Sequence, residues 1–334
     1  MKQEQKHKLG IALVGLGEYA TGQLAPALQE TIDCYLAGIV TGSAIKAKAI
    51  KEKYNIPDRN IYSYEQFDRI KENPAIDIVY VTLPNNMHAA YTICAAAAGK
   101  HVICEKPMAI TVEDSDRMID ACKKAGKMLS IDYRLHFDLY HLEMTRLAQQ
   151  KVYGNIKKIT AQFGQASPTE GWRLDKNIAG GGALMDLGIY CLQAAMYVTG
   201  MEPVAVTAQA LPITDTQKFI DIEDTIEWQM EMPDGLIAQC RTSFSEDRNV
   251  LKVEAEKGWF ELDPAFNYSG IMGKSSDGII EYSPSSQQAR QMDAFALAIK
   301  NNEQSIVPGE MGRRDVKIIQ AIYDAINTGQ RIVL

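Results

Sequence analysis

The chain has 334 residues, a formal net charge of −7 at pH 7 and 46% hydrophobic residues. Because a chain of this length exceeds the size at which a single hydrophobic core usually stops growing, we expect two domains. The acidic balance and the lack of a long Lys/Arg block argue against nucleic acid as the main partner. The six cysteines form no Cys-x-x-Cys pair and the five histidines show no ligand spacing with a carboxylate, so we expect reduced thiols and no metal.

The start of the chain superficially matches a signal peptide. Residues 1–8 are basic and residues 9–16 are apolar. The apolar run is brief, contains glycines and leads into Glu18 with no small-residue cleavage site, so we interpret it as a first strand. The longest other apolar stretch, residues 89–99, is too short to cross a bilayer. The sequence therefore predicts a cytoplasmic protein that does not associate with a membrane.

A glycine-rich segment follows the first predicted strand, Leu9–Val14, and opens a helix that we expect to reach about residue 30. Its spacing of Gly, Gly and Ala is that of a dinucleotide fingerprint. The first glycine permits a tight turn, the second lets the backbone approach a pyrophosphate, and the small third residue lets the helix pack on the strand. The pyrophosphate would lie at the amide-rich helix N-terminus. The candidate cofactor-binding residues here are Gly15, Gly17, Glu18, Tyr19 and Ala20.

The end of the second predicted strand, residues 35–40, should carry the group that recognises the adenosine ribose. An NAD site prefers Asp or Glu there. This chain instead has Ser43 and then Lys46. A hydroxyl and an ammonium suit a 2′-phosphate, so these residues favour NADP, with NAD as the remaining possibility. The alternative is that Lys46 and Lys48 form only the solvated face of the next helix.

A short apolar run between Gly99 and Pro107 predicts a buried strand of a parallel sheet. Glu105 and Lys106 come directly after it. In an open parallel sheet the loops at the carboxyl ends of the strands form the ligand crevice, so we expect Lys106 to face cofactor or substrate. The alternative is a surface lysine in an ordinary turn. A similar loop after the preceding strand contains Leu83, Pro84, Asn85 and His88, the last of which alternatively caps the following helix.

The pattern changes after Asp132, where we place the boundary between a domain of residues 1–132 and a second domain of residues 133–334. Alternating strand and helix signals make the first an α/β, doubly wound parallel sheet. The second contains alternating apolar and polar residues, as at residues 225–232, which predict an α+β domain with a large, open, mainly antiparallel sheet. Ahead of these strands, three glycines precede a helix. Asp186 and Tyr190 are four residues apart and share one face of it.

Five motifs in this order resemble glucose-fructose oxidoreductase and its wider group, which includes inositol dehydrogenases and the dimeric dihydrodiol and NADP-dependent xylose dehydrogenases. The resemblance covers residues 8–332. The motifs are Gly15-x-Gly17-x-x-Ala20, Leu83-Pro84-Asn85-x-x-His88, Cys104-Glu105-Lys106-Pro107, Trp172-Arg173-Leu174 and the segment 180–190 with its glycines, Asp186 and Tyr190.

The resemblance implies an NADP-binding Rossmann domain and a second domain whose open sheet serves subunit association, hence a homodimer or homotetramer. It implies that Lys106 and Tyr190 form the catalytic pair, with Asp186 nearby. It also implies a small sugar or related polyol or carbonyl as the substrate. Arg134, Trp172 and Arg173 join the candidate cofactor-binding residues.

The chemistry of the pair follows from general principles. Oxidising a carbinol requires its hydroxyl proton to leave as hydride moves to the nicotinamide. The pKa of a free tyrosine, about 10, is too high for a base at neutral pH. A nearby ammonium favours phenolate, so Lys106 would assist Tyr190. The alternatives are that Tyr190 is an ordinary half-buried helix residue and that Asp186 is an N-terminal helix charge.

Other functions remain open at this point. One is the reduction of an anhydro sugar or the oxidation of a dihydrodiol, and a more remote one is a non-catalytic NADP(H)-sensing regulator. Glucose-fructose oxidoreductase has an exported form with an N-terminal arm that helps retain its cofactor. Because this chain starts close to its first strand, we expect exchangeable NADP and an ordinary dehydrogenase or reductase cycle.

Overall fold

The computed structural model describes residues 8–166 and 171–334. The chain forms two compact units. The first unit comprises Met1–Arg134 and Ser286–Arg313, and the second comprises Leu135–Ser285 and Arg314–Leu334. The first boundary lies two residues from the one expected after Asp132. The return of residues 286–313 to the first unit was not expected from the sequence.

The strands and helices alternate in the first unit, and strands dominate the later part of the chain. Within the described residues, the strands are β1 Leu9–Val14, β2 Cys34–Val40, β3 Ile61–Tyr62, β4 Ile78–Val81, β5 His101–Cys104, β6 Leu129–Ile131, β7 Ile156–Gly164, β8 Ala205–Ala210, β9 Thr225–Glu231, β10 Ile237–Ser243, β11 Arg248–Ala255, β12 Gly258–Leu262, β13 Gly273–Ser275, β14 Gly278–Ile280 and β15 Ile332–Val333. The α-helices in the same ranges are α1 Ala25–Ala27, α2 Ala44–Tyr54, α3 His88–Ala97, α4 Val112–Lys124, α5 Leu139–Gln149, α6 Lys176–Ala179, α7 Ile189–Thr199, α8 Gln287–Asn301 and α9 Gly309–Thr328.

The first unit contains a parallel sheet of strand order β3-β2-β1-β4-β5-β6. This confirms the predicted doubly wound Rossmann architecture. The chain after β1 forms a π-helical turn, Ala20–Leu24, before α1. Ser43, in the loop after β2, is the N-cap of α2, and Thr111 is the N-cap of α4. The side-chain oxygen of each accepts a backbone N–H from the first turn of its helix.

The core of the first unit explains why a segment from late in the chain belongs to it. Ile11, Leu13 and Tyr80 of the sheet are fully buried. Met292 and Phe295 of α8 belong to the same hydrophobic cluster. Burying these side chains stabilises the unit by roughly 1.5–3 kcal/mol each, and α8 is thereby fixed to the Rossmann sheet.

The second unit contains a mixed sheet of strand order β14-β13-β12-β11-β7-β10-β9-β8-β15. Strands β7 and β10 pair in parallel, and the other neighbouring pairs that the structure describes are antiparallel. The sheet does not close, since β14 and β15 are its edges. The prediction of an open, mainly antiparallel sheet is confirmed.

Helix α7 is the central helix of the second unit. It packs against β7 and β10, and most of its residues are buried. The run Lys176–Thr199 is long and apolar enough to pass a test for a membrane span, but 78% of its most apolar window is buried inside the fold. Burial in a protein core accounts for that composition, because a helix that is apolar all round is what a core position requires.

Candidate functional site

The two glycines of the glycine-rich loop differ in whether the fold itself requires glycine at their positions. Gly15 has φ +93°, and a Cβ there would lie 2.6 Å from the carbonyl oxygen of Thr82, so only glycine fits. A Cβ on Gly17 would meet nothing within 4 Å. The fold itself therefore does not require Gly17, and its exposed backbone faces open space of the kind that a pyrophosphate needs. Ala20 is fully buried, as the small third residue of the fingerprint should be.

The candidate adenosine end of this loop brings together the two residues predicted to favour NADP. The Ser43 hydroxyl accepts the backbone N–H of Lys46 at 3.3 Å. The Lys46 ammonium donates to the carbonyl oxygen of Leu16 at 2.9 Å. Lys46 therefore connects α2 with the glycine-rich loop and is more than part of a solvated helix face. A cavity of about 450 Å³ lies alongside, with Gly42 and Lys48 in its lining.

Tyr19 links the glycine-rich loop to the end of β6. Its hydroxyl donates to Oδ2 of Asp132 at 2.7 Å. Asp132 is 3% exposed, and Glu18 beside Tyr19 is exposed. A charge-assisted hydrogen bond at a buried carboxylate is stronger than a neutral one, so it fixes the start of this helical segment.

Glu105 lies in a buried cluster with Asp132 and Tyr80. One Glu105 oxygen accepts the backbone N–H of Lys106 at 3.1 Å. The other oxygen and Oδ1 of Asp132 are buried without a donor among the described residues. Burial raises the pKa of Glu105 well above its ordinary value, and the neighbouring Asp132 adds to the rise. A protonated Glu105 can donate to Asp132, which satisfies both oxygens and leaves Glu105 neutral beside Lys106.

His88 connects the loops that follow β4 and β5. Its side chain is completely buried. Nδ1 lies 2.9 Å from the carbonyl oxygen of Pro107, and Nε2 lies 2.8 Å from that of Leu83. Burial lowers the pKa of His88, whereas the two carbonyl contacts oppose that shift. The predicted cofactor contact and the alternative role as a helix cap are both corrected: the enclosed ring links the backbone at Leu83 with the backbone at Pro107, next to Lys106, and the cap position belongs to Met87.

The remaining residues of these loops lie at the same edge of the sheet. Parallel strands β1, β4, β5 and β6 all end there, because neighbouring strands of a parallel sheet share direction. Pro84 and Lys106 are half-buried and Asn85 is buried. The Lys106–Pro107 peptide bond is cis. The first unit thus gathers the glycine-rich loop, the loop after β4 and Lys106 at one edge, as predicted.

Arg134 is a buried residue at the end of the first segment of the first unit. It is 2% exposed, and its guanidinium donates to the side-chain oxygen of Gln287, the first residue of α8. Arg134 therefore contacts the start of α8, and its role as a cofactor-binding residue stays a prediction.

In the second unit, Asp186 and Tyr190 are the accessible residues of an otherwise buried segment, residues 181–190. Asp186 lies in a π-helical turn, Leu184–Gly188, and Tyr190 lies in the first turn of α7. The Tyr190 ring meets Phe163 edge-on, with ring centroids 5.4 Å apart. Both side chains are half-buried, and their sharing of one face stays a prediction from their spacing.

Arg173 and Trp172 flank this face within the second unit. Nε of Arg173 donates to Oδ2 of Asp186 at 3.1 Å. The Arg173 guanidinium also lies 4.6 Å from the centre of the Trp172 ring. A hydrogen bond between an arginine and a carboxylate is charge-assisted, so Arg173 fixes the position of the Asp186 side chain. The structure thus pairs two residues to which the sequence assigned separate roles, Arg173 with the cofactor and Asp186 with catalysis.

Two residues near this face were missed by the sequence reasoning. Glu223 accepts backbone N–H groups of Gly182 and Leu184, each at 3.0 Å, and the hydroxyl of Tyr323 at 3.0 Å. The glycine triplet was the available signal, because it indicated that something approaches the backbone closely. It did not indicate what approaches. Within residues 8–166 and 171–334, no group of three or more His, Cys, Asp or Glu side chains is placed to hold a metal ion.

Comparisons with known proteins give consistent matches along the chain. Residues 9–133 match the family described as "Oxidoreductase family, NAD-binding Rossmann fold", and residues 141–261 match the GFO/IDH/MocA C-terminal domain. A solved structure of an aldose-aldose oxidoreductase from Caulobacter crescentus, complexed with glycerol, is 42% identical with a TM-score of 0.95. That match covers 98% of this chain and 100% of the other.

Two curated relatives are similar over nearly their whole length. D-glucoside 3-dehydrogenase of Escherichia coli (strain K12) is 29% identical, over 98% of this chain and 97% of the relative. The NADP(+) D-xylose 1-dehydrogenase of Haloarcula marismortui is 27% identical, over 97% of this chain and 92% of the relative. Together with the two domain matches, these similarities show that the chain belongs to the GFO/IDH/MocA family of oxidoreductases, which have an NAD(P)-binding Rossmann fold.

Proposed function

We propose that this protein is an NADP-dependent oxidoreductase that transfers hydride between the nicotinamide and a carbinol or carbonyl carbon of an aldose. The observation that carries the proposal is the full-length similarity to an aldose-aldose oxidoreductase. Two features support it. Lys106 follows an interior strand of a parallel Rossmann sheet, and Asp186 and Tyr190 are the half-buried residues of an otherwise buried segment.

The cofactor residues fit the dinucleotide chemically. The open space at Gly17 suits the pyrophosphate, and the hydroxyl of Ser43 with the ammonium of Lys46 suits a 2′-phosphate. Gly15 shapes the turn, and Tyr19 anchors the loop through Asp132. NADP, when bound, supplies the acceptor or donor of the hydride. We therefore propose NADP as the preferred cofactor and NAD as the weaker one.

The proton is handled by this chain's own side chains. In the oxidative direction Tyr190 takes the proton of the carbinol hydroxyl, and in the reductive direction it returns that proton to the carbonyl oxygen. The Lys106 ammonium donates to the sugar oxygen. The raised pKa of Glu105 matters here, because an ionised Glu105 would compensate the Lys106 charge and a protonated one would not. Asp186, fixed in position by Arg173, orients a sugar hydroxyl.

The similarity to an aldose-aldose oxidoreductase also favours a second candidate, in which one aldose is oxidised and another is reduced on the same retained cofactor. This differs from the exchangeable NADP expected from the sequence. Dialysis of the purified protein distinguishes the two, because stoichiometric NADP after dialysis supports retention and loss of NADP supports exchange. Product analysis with two different aldoses then shows whether one is oxidised as the other is reduced.

The main test measures turnover with a panel of aldoses for the parent, Tyr190→Phe and Tyr197→Phe. Tyr197 lies on the same helix and bonds His141 within the second unit, so it controls for the loss of any helix hydroxyl. We expect Tyr190→Phe to lower kcat by about 10²–10⁴-fold, the usual contribution of general acid–base catalysis, with unchanged NADP affinity. Parental turnover by Tyr190→Phe would refute the assignment. NADP binding without turnover of any sugar would favour a sensing role, and turnover confined to anhydro sugars or dihydrodiols would favour those substrates.

Assembly and compartment complete the proposal. We propose a homodimer or homotetramer formed through the open sheet of the second unit, in a cytoplasmic protein. Light scattering of the purified chain tests the assembly. A monomer at micromolar concentration would contradict it.

A further inference from the structure

The turn that begins the Asp186–Tyr190 segment is held by a single residue, Glu223. Three consecutive N–H groups, those of Gly182, Ala183 and Leu184, all donate to it. Its two carboxylate oxygens accept from Gly182 and Leu184, each at 3.0 Å, and its own carbonyl oxygen accepts from Ala183 at 3.3 Å. The first N–H groups of a helical segment have no partner inside the helix, so Glu223 supplies the acceptors that this segment would otherwise lack.

The glycine triplet is explained by the closeness of this contact. A Cβ on Gly182 would lie 2.0 Å from the carbonyl oxygen of Glu223, and one on Gly181 would lie 2.0 Å from the hydroxyl of Tyr323. Real Cβ atoms do not approach backbone oxygens so closely. Gly180 has φ +85°, which favours glycine for a different reason. The close approach of Tyr323 therefore requires glycine at position 181, and that of Glu223 requires glycine at position 182.

Glu223 is itself rigidly placed. Its neighbours Phe219 and Ile222 pack in a buried cluster with Ala183 and Leu187 of the same segment. The hydroxyl of Tyr323, from α9, donates to the Glu223 oxygen that also accepts from Leu184. Burial raises the pKa of Glu223, whereas the N–H donors and the phenol oppose that rise. Glu223 is half-buried, and its carboxylate is satisfied by the N–H groups of Gly182 and Leu184 and by the hydroxyl of Tyr323 from α9.

We propose that Glu223 is the positioning residue of this enzyme, which sets the register of the Leu184–Gly188 turn and thereby the places of Asp186 and Tyr190. The effect on catalysis rests on the proposed function, whereas the structural role of Glu223 does not. Asp186 follows Leu184, the last amide held by Glu223, by two residues, and Tyr190 follows it by six. A displacement of about 1 Å in a catalytic group can lower a rate by about 10²-fold, so a fixed turn has a direct value for the reaction.

The test compares Glu223→Gln with Asp224→Asn. Glutamine has the same shape but places an NH₂ group against an N–H of Gly182 or Leu184, where two donors repel. Asp224 is the adjacent buried carboxylate, and its Oδ2 accepts hydroxyls of Thr214 and Ser245 rather than amides of the catalytic segment. It therefore controls for the loss of a buried charge. Tyr323→Phe is the milder variant, because it removes one donor to Glu223 and leaves both amide bonds.

Two readouts are measured for each variant: amide hydrogen exchange in residues 181–190, and kcat with the Kd for NADP. For Glu223→Gln we expect faster exchange in this segment and a kcat about 10–100-fold lower, with the Kd for NADP within about twofold of the parent. For Asp224→Asn we expect lower thermal stability but parental exchange in residues 181–190 and parental kcat. For Tyr323→Phe we expect a smaller change in both readouts, in the direction of Glu223→Gln.

Parental exchange in Glu223→Gln, or equal loss of kcat in Glu223→Gln and Asp224→Asn, would overturn the proposal. If Glu223→Gln does not fold, Tyr323→Phe decides: unchanged exchange and unchanged kcat would refute the role. The exchange readout does not depend on turnover. An inactive parent would therefore contradict the proposed function, while the exchange pattern would still decide whether Glu223 holds the turn.

Discussion

Replacing Gly17 with alanine should separate cofactor binding from folding. A Cβ at this position meets nothing within 4 Å, so the protein has room for it. Gly→Ala substitutions at positions without strain stabilise by about 0.4–1 kcal/mol, because the unfolded chain loses freedom. We therefore expect the thermal midpoint of Gly17→Ala to equal or slightly exceed that of the parent.

The same methyl group should weaken NADP binding. It occupies the space that we assign to the pyrophosphate and would push a phosphate away from the helix N-terminus. Loss of one hydrogen bond to a charged group costs about 1.5–3 kcal/mol. Since 1.4 kcal/mol corresponds to about tenfold in Kd, we expect the Kd for NADP to rise by about 10–150-fold.

Gly15→Ala is the matched control. Its φ of +93° and the 2.6 Å approach to the Thr82 carbonyl oxygen make alanine strained in the fold itself. Left-handed backbone costs a non-glycine residue about 1–3 kcal/mol, and the clash adds to that. Calorimetry and fluorescence titration with NADP compare the two variants. Gly17→Ala with parental NADP affinity, or with a loss of stability like that of Gly15→Ala, would refute the reasoning.

Three further predictions concern side chains of the first unit. Glu105→Gln should retain kcat within about threefold, because an amide can donate to Asp132 as a protonated acid does. Asp132→Asn should be clearly less active than Glu105→Gln. If Glu105→Gln is instead the less active variant, Glu105 acts as a carboxylate. Lys46→Ala should raise the KM for NADP by about tenfold and leave that for NAD unchanged, and equal effects on both would remove the case for a 2′-phosphate contact. Burial lowers the pKa of His101 to about 4, and its neutral Nδ1 accepts the N–H of Met128. The unfolded chain therefore binds the proton more readily, and stability should fall as pH decreases from about 6.5 towards 4. His101→Asn keeps an acceptor that does not titrate and should show a flatter dependence of Tm on pH, and an equal slope would contradict this origin.

Local patterns predicted those parts of the molecule that depend on local chemistry. The turn at Gly15 was predictable because a strand, a glycine and a helical segment follow one another within a short stretch. The structure has that turn, with a positive φ at Gly15. The position of Lys106 follows from an apolar run that ends at a sheet edge. The prediction that a helical segment carries Asp186 and Tyr190 follows from their spacing, and the structure has a π-helical turn and the start of α7 there.

Long-range packing was not available from the sequence. His88 was predicted to face a cofactor, but its partners are the carbonyls of Leu83 and Pro107, which only the neighbouring strands bring together. Glu223 holds Gly182 from 41 residues away. The segment Ser286–Arg313 belongs to the first unit because α8 buries apolar side chains in its core. A single sequence, considered without an alignment of related sequences, contains no signal for such long-range pairs.

The central claim is that Lys106 and Tyr190 act as one unit on the proton of a sugar hydroxyl. A double-mutant cycle tests this most directly. The rate of nicotinamide reduction by an aldose is measured in single turnovers for the parent, Lys106→Met, Tyr190→Phe and the double variant, each loaded with NADP⁺. Groups that act as a unit are strongly non-additive, so we expect the double variant to be about as slow as the slower single variant. Losses that multiply in the double variant would show that the two side chains act independently and would contradict the account.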